Sequence, residues 1–250
     1  MELKKKVIKM EEWLKKKKNI QSKLKPHVDL NSYFSSEEIA RQKLAVFSIG
    51  EITITSEKIT VTDPLVYMDR NTNYYLQKVP TGKFPIYICA AMMGDYGDRY
   101  VAVKLEFSDK IASRYEEALI GNEDLDNFEE GDYFGFFVDA GLGTIVDENT
   151  INAYCDFEEE WDKNNPNAAS IYDDYFSEIF ENSYKKYPEY QREDGDWINW
   201  TIPNTEFQVP MFQSGFGDGL YPVYFGYDEN NEVVNLIIHF IDLELFFSEE

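Results

Sequence analysis

Two apolar runs, Phe84 to Met93 and Tyr100 to Phe107, are separated only by Gly94-Asp95-Tyr96-Gly97-Asp98. A glycine- and aspartate-rich loop this short makes a hairpin, so the two runs are predicted to pair as antiparallel strands. Period-two alternation at Ile52, Ile54, Ile59 and Val61 adds half-buried strands, broken at Asp63-Pro64. Tyr133 to Val138 reads as a buried strand, and a further short one runs to Val146. Strands return at Trp197 to Ile202, Glu206 to Phe212, Tyr221 to Tyr227 and Glu232 to Leu243, with Asp228-Glu229-Asn230-Asn231 turning the last pair.

Between the strands the pattern is helical. Ser35 or Ser36, followed by Glu37 and Glu38, predicts a short helix to about Leu44; Ser108 predicts one through Leu119. Residues 148–161 and 168–186 read as acidic helices, the second with Ile171, Tyr175, Ile179, Tyr172, Phe176 and Phe180 on one face. The expected fold class is α+β: a mainly antiparallel twisted sheet, an N-terminal basic helix and a central acidic helical insertion. At 250 residues and 43% hydrophobic content, one domain accommodates all of this. It divides into residues 1–25, 26–155, 156–195 and 196–250.

The charge is divided unevenly. Residues 1–25 hold ten lysines against three glutamates, whereas the remainder carries 14 basic against 44 acidic residues, a net of −30. Such a body repels phosphate backbones, which speaks against nucleic acid, and attracts basic proteins. Asp173, Asp174, Glu178 and Glu181, on the outer faces of the 168–186 helix, are the candidate partner-binding residues. Leu3, Val7, Met10, Leu14, Ile20 and Leu24 give the basic segment an apolar stripe that ends before Pro26. It is expected to dock on the acidic body, with the 168–186 helix as one dock; a membrane surface and a separate partner are the alternatives. The longest uncharged apolar stretch, Ile86 to Met93, is too short to span a bilayer. No apolar core follows the lysines to make an export signal, so a cytoplasmic location with Cys89 and Cys155 reduced is expected.

Three glycine–aspartate clusters stand out: Gly94 to Asp98, Asp139-Ala140-Gly141-Leu142-Gly143 with Asp147 behind it, and Ser214-Gly215-Phe216-Gly217-Asp218-Gly219 leading to Tyr221. Aspartates on glycine-bent backbone gather oxygen ligands for a divalent cation, which makes Asp139, Asp147 and Asp218 the candidate metal ligands. The same residues also make tight turns, the commoner use. Nucleotide-binding spacings are absent. A Cys89–His239 dyad and a sugar platform of Trp161, Trp197 and Trp200 are conceivable, but core packing is the commoner fate of both. Asp228, Asn230 and Glu232 imitate a calcium loop, yet Val233 stands where glycine is required.

Val138-Asp139-Ala140-Gly141-Leu142-Gly143, Asp147, and the run Ser214-Gly215-Phe216-Gly217-Asp218-Gly219-Leu220-Tyr221-Pro222 with Gly226-Tyr227-Asp228 together resemble the signatures of a bacterial family of unknown function, numbered 4241. Asp63-Pro64 and Pro80-x-Gly82-x-x-Pro85 match its earlier elements. The likeness covers residues 44–150 and 200–245. It implies no established reaction; some members look like cytoplasmic immunity or accessory proteins. It links Asp139, Asp147 and Asp218 through separate loops, which either form a shared pocket with Gly141, Ser214 and Tyr221 or are the fold's obligatory turns. A metal-dependent enzyme using the three aspartates is the alternative to an acidic binding protein.

Overall fold

The structure, a computed structural model, describes residues 2–248, with side chains from Lys9 onward. Leu3 and Val7 of the predicted stripe therefore lie outside the described side chains. Helix α1 (Glu2–Ile20) is followed by the single turn α2 (Ser32–Ser35), then β1 (Glu38–Ile39), β2 (Gln42–Ile54) and β3 (Ile59–Thr62). The predicted hairpin is β4 (Gly82–Met92) and β5 (Asp98–Glu106). Next come β6 (Arg114–Glu117), β7 (Phe136–Val138), β8 (Leu142–Asp147) and α3 (Glu148–Asn164). A π-helical turn (Tyr172–Phe176) opens α4 (Ser177–Lys186). The chain ends in β9 (Trp197–Thr201), β10 (Gln208–Gln213), β11 (Gly219–Tyr221), β12 (Val223–Tyr227), β13 (Val233–His239) and α5 (Leu243–Phe246).

The strands form an α+β fold with a seven-stranded sheet, order β1-β2-β4-β5-β13-β12-β6, a four-stranded sheet, β3-β8-β10-β9, and a ribbon, β11-β7. Every pairing is antiparallel. The apolar runs of β4, β5 and β13 supply Ile86, Ile88, Val101, Val103, Leu236 and Ile238 to the main core. Helices α3 and α4 pack Ile151, Tyr154, Phe176 and Phe180 on Trp200, Val209 and Met211 of the smaller sheet, so residues 156–195 cover one of its faces. The two sheets meet at β2. Thr53 N and Oγ1 both donate to Gln208 Oε1 at 3.0 Å, and Asn199 Nδ2 donates to Glu51 O at 3.0 Å. This approach needs glycine at position 50, where φ is +109° and a Cβ would stand 2.7 Å from Asn199 Nδ2.

Two predicted helices are strands. Residues 38–43 form a tight hairpin in which Glu38 faces Lys43 and Ile39 faces Gln42. Its two-residue loop, Ala40-Arg41, has φ of +48° and +63°, as in a type I′ turn. Residues 114–117 pair with β12, Glu117 opposite Tyr224, and this pairing overrides the local helix signal at Ser108. The last strand stops at His239 rather than Leu243, because Asp242 caps α5 by accepting from Leu245 N at 3.0 Å.

Candidate functional site

The ribbon brings two of the glycine–aspartate clusters together. Val138 pairs with Gly219, so Asp139 and Asp218 emerge side by side at its end. Asp218 Oδ1 accepts from Gly141 N at 3.0 Å, and Ser214 N donates to Gly141 O at 3.1 Å. Ser214 Oγ and Tyr221 Oη each donate to Gly217 O at 2.8 Å, closing the second turn. Burial raises the Tyr221 phenol, so the group stays a donor at neutral pH. The third cluster reaches the same end through Tyr96, whose ring centroid is 6.3 Å from that of Phe216.

Asp63, read from sequence as a strand break and a family element but not as a site residue, is the hub of this arrangement. It is fully buried, and its Oδ2 accepts from Asp139 N at 3.0 Å and Ala140 N at 2.7 Å while Oδ1 accepts from Leu65 N at 2.9 Å. Tyr67 Oη donates to Asp139 Oδ2, and that bond raises the Tyr67 phenol. The signal for Asp63 was its place in the Asp-Pro family element. Beside Tyr67 lies an open groove of about 350 Å³, lined by Thr60, Thr62, Asp69, Asn71 and Phe137 among others.

Asp147 does not join the cluster. It sits at the far end of β8, about 17 Å from Leu142 at the usual rise per strand residue. There it is buried and caps α3, its Oδ1 accepting from Thr150 N and Oγ1 and its Oδ2 from Thr55 N, Thr55 Oγ1 and Ser56 N. Five bonds saturate a carboxylate. Asp139 and Asp218 thus meet without Asp147, and no group of three or more His, Cys, Asp or Glu side chains among the described residues is arranged to hold a metal ion.

The other constellations resolve into packing. Cys89 and His239 both pair with Ala102, so a whole strand, about 10 Å in all, separates their backbones. Burial pushes the Cys89 thiol up to about 12 and holds the His239 imidazole down to about 4, which removes both nucleophile and base. Trp197 and Trp200, three apart on β9, point to opposite faces. Trp197 stacks on Tyr187, and Trp200 packs among Phe157, Tyr175 and Phe176, so they share no platform. Asp228 makes a turn, accepting from Asn230 N and Glu232 N at 2.9 Å.

The basic arm docks on the body, but not on the acidic helices. Trp13 Nε1 donates to Glu123 O at 3.0 Å, Lys16 pairs with Asp126 at 2.7 Å, Lys17 with Glu116 at 2.5 Å, and Lys23 Nζ donates to Phe128 O at 3.0 Å. Trp13 and Leu24 pack with Leu119, Leu125 and Phe128. Residues 116–128 offer both an apolar groove and carboxylates, whereas the apolar face of α4 is already spent on the smaller sheet. Asp173, Asp174, Glu178 and Glu181 remain exposed. Asp174 Oδ2 accepts from Ala169 N and Ser170 N, Asp173 Oδ2 accepts from Ser170 Oγ, and Glu181 pairs with Lys185. Ring contacts of Tyr175 with Phe157 and Trp161 bring α3 alongside the start of α4. The exposed Asp156, Glu159, Glu160 and Asp162 of α3 extend the same acidic region, with Arg70 on Asp156 and Glu159.

These features define an α+β protein of two antiparallel sheets, with signature loops tied together by carboxylate-to-backbone bonds and an acidic helical pair on the smaller sheet. The chain belongs to the family described as Protein of unknown function (DUF4241), whose sequence profile matches residues 52–238. The match runs through residues 156–195, where no motif was recognised. No curated protein and no solved structure gives a significant match. Among the described residues, no helix is long and apolar enough to cross a membrane.

Proposed function

We propose that the chain is a cytoplasmic acidic binding protein, immunity-like in action, that engages a basic protein through the exposed carboxylates of α3 and α4. One observation carries this reading. Of the described lysines of the arm, Lys16 and Lys17 pair with Asp126 and Glu116 and Lys23 donates to Phe128 O. Among the acids of α3 and α4, Glu148 meets Lys58, Asp156 and Glu159 meet Arg70, and Glu181 meets Lys185, whereas Glu160, Asp162 and Glu178 stay exposed. Residues 156–195 hold twelve acidic against four basic residues, and Arg192 is committed to Asp196. Such a field speeds encounter with a cationic partner and suppresses acidic ones.

Isothermal titration with a decalysine peptide tests the charge requirement. Wild type should bind more weakly as salt rises from about 50 to about 300 mM, where the screening length shortens. The variant Glu159→Gln/Glu160→Gln/Asp162→Asn/Glu178→Gln, which spares Asp173 and Asp174 because they bond within the 169–174 turn, should bind several-fold more weakly at low salt. Binding indifferent to both salt and neutralisation refutes the reading.

A further inference from the structure

Where the glycine–aspartate loops gather, the surface turns aromatic. Phe216 is 50% exposed and Leu245 66% exposed. Phe216 stacks on Phe246 with centroids 5.4 Å apart, and Phe246 meets Phe247 at 5.0 Å and Tyr96 at 5.1 Å. Turn tips ordinarily carry polar residues, so a phenylalanine at this one needs a reason.

The backbone forces it outward. Phe216 lies between Gly215 at φ +51° and Gly217 at φ +107°, and a Cβ on Gly215 would come within 3.0 Å of the Phe240 side chain. The turn is pressed on the core at residue 215, and the next side chain points away from it. Bonds from Ser214 Oγ, Tyr221 Oη and Gly217 N fix that shape. Phe216 is therefore presented on a rigid tip, and a preorganised aromatic loses little entropy on being covered.

The rim decides what covers it. Asp95 and Asp98 flank Tyr96, Asp218 follows Phe216 by two residues, and Glu244 precedes Phe246 by two; all four are exposed. Against them stands Arg99, its guanidinium 5.6 Å from the Phe216 ring centroid, with Lys43 two strands across in the row of Met92 and Asp98. An apolar centre within a negative rim is the anatomy of an interface hot spot for a positively charged partner. An anionic lipid surface or an acidic peptide would meet repulsion.

We infer that the Phe216–Phe246–Leu245 patch is a docking point for a segment of a basic protein that presents one large apolar side chain among lysines or arginines. The inference rests on the reading that the partner is basic, and adds where and how it is anchored. It assigns charge recognition and anchoring to different residues, so the two separate by mutation.

Fluorescence anisotropy with two labelled peptides provides the test: decalysine, and the same peptide with one central tryptophan. Wild type is expected to hold the tryptophan peptide about tenfold more tightly or better, the range of a single aromatic anchor. Phe216→Ser and, separately, Leu245→Ser should erase that advantage while leaving decalysine binding unchanged. Both side chains are substantially exposed, and an unchanged thermal transition establishes that each variant is folded. Equal affinity of wild type for the two peptides overturns the inference, as does an advantage that survives both substitutions. A wild-type dimer in light scattering that Phe216→Ser dissolves also overturns it, by giving the patch to a second copy of the chain. If neither peptide binds, the basic-partner reading fails and takes this one with it.

Discussion

Glu117 offers the sharpest quantitative test of the structure. It lies on β6, 1% exposed, and its Oε1 accepts from Phe134 N at 2.6 Å and Gly135 N at 3.1 Å. Burial pushes its carboxyl up from an ordinary 4.5 to about 7, the two backbone bonds opposing this and Glu123 adding to it. Between those values the native state holds a proton that the unfolded chain has released, so stability falls as pH rises from about 4.5 to about 7. Each pKa unit is worth about 1.4 kcal/mol, which makes the cost of ionised Glu117 about 3 kcal/mol above pH 7. Glu117→Gln keeps an oxygen acceptor for both amides and cannot ionise. Urea unfolding should therefore find the variant more stable than wild type at pH 8, by up to about 3 kcal/mol, and near-equal at pH 4.5. His239 and other groups that titrate in this range cancel in the difference between the two proteins. A glutamine variant less stable at pH 8, or shifted equally at both pH values, refutes the burial argument.

Three further outcomes are expected. His239 should stay neutral in the native protein down to about pH 4, because its ring is buried against Tyr33 with centroids 4.8 Å apart; an NMR titration midpoint above 6 contradicts this. Asp147→Ala strips a buried carboxylate from five donors and should cost about 3–5 kcal/mol in chemical denaturation, whereas Asp218→Ala, exposed and bonded once, should cost about 1 kcal/mol or less. Equal costs would mean that the two aspartates are not used as the structure has them. Trp13→Ala removes the main apolar contact of the arm, so trypsin should cut within residues 15–25 far faster than in wild type while the rest of the chain resists; an unchanged cleavage rate would show that the arm is held otherwise.

The readable parts of the fold are those where local pattern and tertiary environment agree. The β4–β5 hairpin was legible because its loop carries glycine and aspartate, and α4 with its π-helical opening because the acids and apolar residues of 168–186 segregate at helical spacing. The β1–β2 hairpin was not, because its turn places Ala40 and Arg41 at positive φ, residues that announce no turn. Strand β6 was missed because four residues bonded to β12 outweigh a serine cap. At the loop cluster, the meeting of Asp139 with Asp218 was legible from the paired motifs. The divergence of Asp147 was not, since a six-residue strand hides its length in a motif written as consecutive letters. Asp63 escaped for a related reason: its partners, Asp139 N and Ala140 N, lie over seventy residues away.

The arm's docking site follows from the same sheet. Strand β6 is an edge of the seven-stranded sheet, and an uncovered edge invites association with other chains. Its Glu117 N donates to Leu24 O at 2.9 Å, Glu116 takes Lys17, and Glu117 turns inward to hold residues 134–135. One short strand thus uses its outer edge to seat the arm, one carboxylate to neutralise it, and the next to fix the segment leading into β7. Lys17 is spent on this edge, and Lys16 and Lys23 on Asp126 and Phe128 O beside it, so these three lysines are turned away from the acids of α3 and α4. Charge that looks like a balance within the chain is two separate features: a basic cover for a β edge, and carboxylates on α3 and α4 that the cover leaves exposed.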